Sequence, residues 1–200
     1  MLNYNFFKSQ NDSKQLLVML HGFISDSTTY DSHIEQLSQH VNVLTIDLPG
    51  HGKDTSDMND TWDFPYIAHA LDEVLSQYDM YDVYLLGYSM GGRVALYYAL
   101  NGSVALRGLL LESTSAGIQS EADKVERVQV DAARAKVLEI AGLEIFVNDW
   151  EKLPLFRSQY ELDAEVRKAI RANRMSQNPV RLAKALRDYG TGNMLSLIHI

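Results

Sequence analysis

The first half of the chain alternates short apolar runs with stretches of helical periodicity. The runs that predict strands cover residues 15–20, 41–46, 81–86 and 106–111. The helical patterns between them cover residues 28–40, residues 63–78 with Asp63 as a candidate N-cap, and residues 91–100. Because strands separated by helices pair in parallel and are covered on both faces, we predict an α/β fold with a mostly parallel sheet.

The second half has no strand pattern. Helix-like segments follow one another at residues 120–140, 143–151, 163–174 and 179–188. We therefore expect a core over residues 1–112, a helical cap over residues 113–189, and a start of the return to the core over residues 190–194. Such a sheet and cap enclose a cleft at the carboxyl ends of the strands, where ligands bind in open α/β sheets.

Composition narrows the classes of function. The 200 residues include no cysteine, so we expect no disulfide framework and no metal site built on thiolates. No apolar run approaches the ~20 residues of a membrane span, and nothing at the N-terminus suggests export. The net charge of −8 disfavours nucleic acids and anionic membranes as partners. A small molecule is the expected partner.

The charge is unevenly divided along the chain. Residues 1–112 carry 5 Lys+Arg and 14 Asp+Glu, whereas residues 113–200 carry 13 and 12 and hold 8 of the 10 arginines. A cap rich in guanidinium groups is suited to binding an anion. The alternative is a set of solvated helices with i,i+4 ion pairs.

A nucleophile motif lies between the third strand and the helix after it. The sequence Gly87-Tyr88-Ser89-Met90-Gly91-Gly92 contains G-x-S-x-G at a strand–turn–helix junction. The glycines permit a turn too tight for a Cβ, and the serine is left strained with its hydroxyl exposed. We therefore predict that Ser89 is the catalytic residue.

The loop after the first predicted strand, His21-Gly22-Phe23, completes the expected reaction centre. In folds with this serine turn, an amide of that loop and the amide after the serine form the oxyanion hole. This predicts Phe23 and Met90 as the donors. His21 is kept as a candidate substrate contact, although a histidine at a strand end more often holds the loop, and the same holds for His51.

The motifs HGF, DLPGHG and GYSMGG, in this order, resemble the α/β-hydrolase superfamily over residues 15–112. Within it the chain is most similar to the 2-succinyl-6-hydroxy-2,4-cyclohexadiene-1-carboxylate synthases, on the run SMGGR at residues 89–93, Arg127, FVNDW at residues 146–150, and Arg171. This resemblance implies a cytoplasmic, cofactor-free lyase of menaquinone biosynthesis. It also implies that Arg93, Arg127 and Arg171 bind substrate carboxylates and that Tyr88 and Trp150 line the pocket.

The position of Arg93 favours an anionic ligand independently of the resemblance. Arg93 follows Ser89 by four residues and shares its helix face. The helix after the serine turn is central in this fold, where an unpaired arginine is costly. A substrate carboxylate would pair with it, and the alternative partner is Glu112. For Arg127 and Arg171 the alternative is solvated surface, and for Tyr88 and Trp150 it is simple packing.

The remaining members of a catalytic triad are not evident. Chain order in this fold is serine, acid, histidine, and the only histidine after Ser89 is His199. We therefore expect the acid and the base on two further strands missing from a truncated, inactive chain. The final LSLIHI matches the translation of a common transposase sequencing adapter, so residues 195–200 are expected to be a non-native tail.

Two alternatives to the lyase stay open. The first is a serine carboxylesterase or C–C bond hydrolase on the same scaffold, with Ser89 as a true nucleophile. The second is an inactive fragment or a binding-only pseudo-hydrolase. Either would keep the same fold and the same cleft.

Overall fold

The computed structural model describes residues 2–194. Its five strands are β1 Asn3–Phe7, β2 Gln15–Leu20, β3 Asn42–Asp47, β4 Asp82–Tyr88 and β5 Leu106–Glu112. They form one sheet in the order β1-β3-β2-β4-β5. All neighbouring pairs are parallel except β1 with β3, which is antiparallel. The predicted α/β fold with a mostly parallel sheet is therefore confirmed.

Seven α-helices accompany the sheet within the described residues: α1 Asp31–Ser38, α2 Phe64–Leu75, α3 Met90–Asn101, α4 Glu121–Ile140, α5 Leu143–Trp150, α6 Ala164–Met175 and α7 Pro179–Tyr189. Short 3-10 helices cover Ser27–Tyr30, Ser76–Tyr78, Pro154–Glu161 and Thr191–Asn193. Asp63 caps α2 as predicted, because its side chain accepts a hydrogen bond from the Tyr66 amide at 2.8 Å. None of these helices is long and apolar enough to cross a membrane.

The sheet core forms around the central strands. Every residue of β3 is buried, and Leu16, Val18 and Leu20 of β2 are completely buried. Helix α3 packs on β4 and β5 and contributes Val94, among others, to this core. The serine turn at the start of α3 is thus attached to the buried core of the sheet.

Helices α4 to α7 form the cap, and side-chain bonds tie it to the loops after the strands. Gln177 donates to Asp26, after β2, at 2.8 Å. Arg181 pairs with the buried Asp54, after β3, at 2.6 Å. The cap therefore covers the carboxyl ends of the strands.

The last described residues contact both the cap and the sheet core. The segment at residues 190–194 runs along α4, and Met194 is buried in the sheet core. The division at residues 112 and 189 stays a prediction. The expected non-native tail, residues 195–200 with His199, lies outside the described residues.

Candidate active site

Ser89 lies at the turn between β4 and α3 in a strained backbone conformation. Its φ of 53° and ψ of −111° are unusual for a residue with a side chain. A Cβ on Gly91 would lie 2.3 Å from the Leu20 carbonyl oxygen, and one on Gly87 would lie 2.4 Å from that of Gly91. Only glycine fits at both positions, which is why the motif requires them.

Neighbouring backbone fixes the strained turn. The Ser89 amide donates to the Glu112 carbonyl at 2.9 Å. The Thr114 hydroxyl donates to the Ser89 carbonyl at 2.7 Å. The end of β5 and the residues just after it therefore bind both the amide and the carbonyl of Ser89. These bonds keep Ser89 in its strained conformation.

The two predicted oxyanion donors flank this turn. A Cβ on Gly22 would lie 2.9 Å from the Tyr88 ring and 3.5 Å from the Ser89 Cβ, so the loop carrying Phe23 approaches the serine closely. Met90 is the first residue of α3, where amides lack a helical acceptor. Within residues 2–194, neither the Phe23 nor the Met90 amide donates to another residue. Their role as donors stays a prediction.

A cavity of about 420 Å³ opens at Ser89 between sheet and cap. Its lining includes most of the predicted site residues: Phe23, Tyr88, Ser89, Met90, Arg93, Arg127 and Trp150. The charged residues in its wall are Arg93, Arg127, Arg134 and Asp131. Three guanidinium groups against one carboxylate give the wall a net charge of +2, so the cavity attracts anions although the chain is acidic overall.

Arg93 is buried without a carboxylate partner among residues 2–194. Its side chain donates one hydrogen bond, from Nη1 to the Tyr189 carbonyl at 3.3 Å. Burial, reinforced by the nearby charge of Arg127, lowers the pKa of Arg93 to about 10. The alternative pairing with Glu112 is absent, so a ligand carboxylate remains the natural partner.

Arg127 and Arg134 share the buried carboxylate of Asp131. The Nε of Arg127 lies 2.9 Å from both carboxylate oxygens, whereas Nη1 of Arg134 is 3.4 Å from one of them. The Arg134 guanidinium lies 5.4 Å from the centre of the Trp150 ring. Arg134 was not predicted from the sequence. Its spacing of seven residues from Arg127, on the same face of α4, is the signal that could have found it.

Aromatic rings form the apolar wall of the cavity. The Phe23 ring meets the Trp150 ring edge-on at 5.3 Å, and the Trp150 ring lies 5.7 Å from that of Phe156. Trp150 also stacks on Phe146 at 5.6 Å. Its Nε1 is buried without a hydrogen-bond acceptor within residues 2–194. Trp150 and Tyr88 both line the cavity, Trp150 offers a free donor, and their contact with a substrate stays a prediction.

The structure does not place Arg171 in this cavity. Arg171 donates to Glu151 at 2.6 Å and to Asn148 at 2.7 Å, and it lines a second cavity elsewhere in the cap. The expected contact between Arg171 and a ligand at Ser89 does not fit this geometry, because Arg171 lines the second cavity and not the one at Ser89. Arg134 occupies the place among the cavity arginines that was expected for Arg171.

The candidate substrate contact of His21 is likewise corrected. His21 is completely buried, its Nδ1 lies 2.7 Å from the Gly22 carbonyl, and its Nε2 accepts from the Leu48 amide at 3.0 Å. Both ring nitrogens are thus used to join two loops, and burial lowers the pKa of His21. The structure agrees with the alternative interpretation, in which His21 holds the loop.

His51 also holds a loop. Its Nδ1 lies 3.1 Å from the Pro49 carbonyl and 3.2 Å from the Tyr189 hydroxyl. Burial lowers the pKa of His51 to about 3. Neither buried histidine is arranged as a base for Ser89. No group of three or more His, Asp or Glu side chains among residues 2–194 could hold a metal ion.

Comparison with known proteins agrees with this geometry. The model of the alpha/beta hydrolase family matches residues 17–194. A Bacillus subtilis protein, named provisionally as a 2-succinyl-6-hydroxy-2,4-cyclohexadiene-1-carboxylate synthase, is 33% identical over 93% of this chain and 68% of its own length. A Salmonella agona protein of the same name is 36% identical over 85% and 65%. The chain thus spans about two thirds of these relatives.

The solved structure of MenH from S. aureus is similar in both sequence and shape. It is 58% identical to this chain and superposes with a TM-score of 0.96. The match covers 97% of this chain and 73% of the other. The sheet, the serine turn and the cap described above all fall within this similarity.

Proposed function

The chain belongs to the α/β-hydrolase family, and we propose that it acts in menaquinone biosynthesis as a lyase. The proposed reaction eliminates pyruvate from 2-succinyl-5-enolpyruvyl-6-hydroxy-3-cyclohexene-1-carboxylate. Its product is the compound named in the relatives. The observation that carries the proposal is the buried, carboxylate-free Arg93 in a cavity of net charge +2 at Ser89.

The charges of this substrate complement the cavity wall. The substrate bears three carboxylates, on the ring, the succinyl chain and the enolpyruvyl group. Arg93 lacks a carboxylate partner, and Arg127 and Arg134 share only Asp131. Because a guanidinium binds a carboxylate through two parallel hydrogen bonds, these arginines can hold and orient a polyanion. The aromatic side chains around Trp150 can pack against the ring of the substrate.

The bonds that break in the proposed reaction show which substrate atoms the catalytic groups must contact. Between substrate and product, the hydrogen at ring carbon 2 and the enolpyruvyl oxygen at carbon 5 both leave. Carbon 2 carries the succinyl group, whose carbonyl stabilises the negative charge left by the proton. The ring electrons then shift, the carbon–oxygen bond at carbon 5 breaks, and the leaving enolate takes up a proton to become pyruvate. No oxidant, metal or covalent carrier is needed.

In this proposal Ser89 removes the ring proton, and the Phe23 and Met90 amides stabilise the enolate oxygen. Ser89 itself needs a base. Neither His21 nor His51 lines the cavity at Ser89, and the one histidine that follows Ser89 is His199. We infer that the acid and histidine partners lie outside residues 2–194 and that the 200-residue chain alone is inactive.

The direct test measures pyruvate release, coupled to lactate dehydrogenase and followed as NADH absorbance. The 200-residue chain is compared with a chimera in which residues 1–194 continue into the C-terminal region of MenH from S. aureus. We expect release from the chimera and at least 100-fold less from the short chain. Equal activity in both would contradict the inference about the partners of Ser89, and no release from either would contradict the lyase proposal.

A second measurement separates the lyase from an esterase. In the chimera, Arg93→Ala should lower pyruvate release at least 100-fold and leave hydrolysis of neutral p-nitrophenyl acetate unchanged within threefold. Arg107→Ala is the matched control, because Arg107 is an exposed arginine paired with Asp82 at 2.9 Å. Efficient ester hydrolysis without pyruvate release would instead assign a carboxylesterase. The proposal also includes a cytoplasmic location, which cell fractionation tests.

A further inference from the structure

A second cavity, of about 320 Å³, lies in the cap between the Pro154–Glu161 segment and α6. It is lined by Glu151, Phe156, Gln159, Tyr160, Arg167, Lys168, Ile170, Arg171 and Arg174. Of these residues only Phe156 also lines the cavity at Ser89. The second cavity is therefore a neighbour of the first and not an extension of it.

The basic residues of this cavity outnumber its acid by four to one. Glu151 is shared by two of them, at 2.6 Å from Arg171 and 3.0 Å from Arg174. Arg167 and Lys168 make no ion pair or side-chain hydrogen bond within residues 2–194. The cavity thus presents two cations that no protein carboxylate neutralises.

The wall of this cavity also contains aromatic side chains and a buried, hydrogen-bonded arginine. Phe156 is buried, and the Arg174 guanidinium lies 4.8 Å from the centre of its ring. Arg174 is itself 7% exposed and is held by Glu151 and by Gln159 at 3.0 Å. The Tyr160 hydroxyl donates to the Glu151 carbonyl at 3.0 Å. Aromatic side chains and unpaired cations in the wall of one cavity match a ligand that has both a ring and a negative charge.

We propose that this second cavity binds a ring-bearing organic anion, either a carboxylate or a phosphate monoester. The ring of the ligand packs on Phe156, Tyr160 and Ile170. Its anionic group pairs with Arg167 and Lys168, which can reach either kind of oxyanion. Phe156 stands between this ligand and the reaction cavity. The site shares only Phe156 with the cavity at Ser89 and contains no part of the serine turn.

The test is a titration followed by ¹H–¹⁵N NMR, with 1-naphthoate and 1-naphthyl phosphate as separate probes. We expect shifted amide signals at Gln159, Tyr160, Lys168 and Ile170. The probe that binds more tightly identifies the preferred oxyanion. Naphthalene-1-methanol, with the ring but no charge, should bind at least tenfold more weakly than the better anion.

Variants separate this site from the reaction cavity. The double variant Arg167→Gln, Lys168→Gln should weaken binding at least tenfold, and both side chains are exposed, so folding is not at risk. Lys136→Gln, an exposed lysine of α4 that lines neither cavity, is the matched control and should change nothing. Binding that is unaffected by the double variant, or shifts confined to residues 88–93, would overturn the proposal.

Discussion

Replacing Arg93 by methionine should stabilise the ligand-free protein while it removes carboxylate binding. The guanidinium is buried and has one hydrogen bond, to the Tyr189 carbonyl. Methionine retains an unbranched side chain of similar shape but carries no charge. The substitution therefore separates the cost of a buried charge from the packing of the side chain.

The magnitude follows from the pKa of Arg93. Burial lowers this pKa from 12.5 to about 10, and one pH unit of pKa corresponds to ~1.4 kcal/mol. At pH 7, below both values, the charged folded state carries the full cost, about 3 kcal/mol. Loss of the hydrogen bond to Tyr189 offsets ~1–2 kcal/mol of the gain. The free energy of unfolding should rise by about 1–2 kcal/mol.

The assay is urea unfolding at pH 7 without ligand, with Arg107→Met as the control for loss of an exposed arginine. Carboxylate binding is measured by calorimetric titration with phthalate, a ring that carries two carboxylates. Truncating one partner of a buried ion pair costs ~3–5 kcal/mol, so phthalate should bind at least 100-fold more weakly to Arg93→Met. If that variant is instead destabilised by 1 kcal/mol or more, Arg93 is satisfied within the protein and the reasoning fails.

Three further outcomes follow from the same contacts. Ser89→Gly should raise thermal stability by ~1 kcal/mol, because glycine relieves the φ of 53°, and it should abolish pyruvate release by the chimera. Asp54→Ala leaves the guanidinium of Arg181 unpaired and should lower the free energy of unfolding in urea by ~3 kcal/mol. The pKa of His51 is lowered to about 3, so the unfolded state takes up its proton first as the pH falls. Unfolding measured from pH 6 down to pH 4 should show stability decreasing, by up to ~1.4 kcal/mol per pH unit from this group, and His51→Gln should reduce that slope.

The serine turn was predictable because the glycines that it requires form a recognisable motif in the sequence. Gly87 and Gly91 are required because a Cβ at either position would lie within 2.5 Å of another residue's carbonyl oxygen. Both glycines are part of the motif G-x-S-x-G. The four parallel strands were predictable for a related reason, since their apolar runs are bounded by turn residues. Caps such as Asp63 act within one helical turn and also follow from sequence.

Features that depend on distant partners were not predictable. β1 lies at the sheet edge, where none of its five residues is fully buried, and its two asparagines interrupt the apolar residues, so no continuous apolar run marks it. Arg171 and Arg134 are both arginines on cap helices, but only Arg134 lines the cavity at Ser89, whereas Arg171 bonds Glu151 and lines the second cavity. The partner of Arg171 lies in another element, which the sequence pattern does not reveal. Arg134 lies three residues after Asp131 on α4, so helical spacing could have placed it.

The cavity is positively charged although the protein is acidic, because carboxylates of the core accept hydrogen bonds in the loops. Asp47 accepts hydrogen bonds from the Ser27 and Lys53 amides at 2.8 and 2.9 Å, and Asp54 accepts from Arg181. These acids fix the loops beneath the cap, so their charge is compensated by local donors. Tyr189, at the end of α7, bonds Pro49 through its hydroxyl at 2.6 Å and Arg93 through its carbonyl. The acidic loops thereby position the cap residue that orients the buried guanidinium, and the cavity is charged for an anion before any ligand arrives.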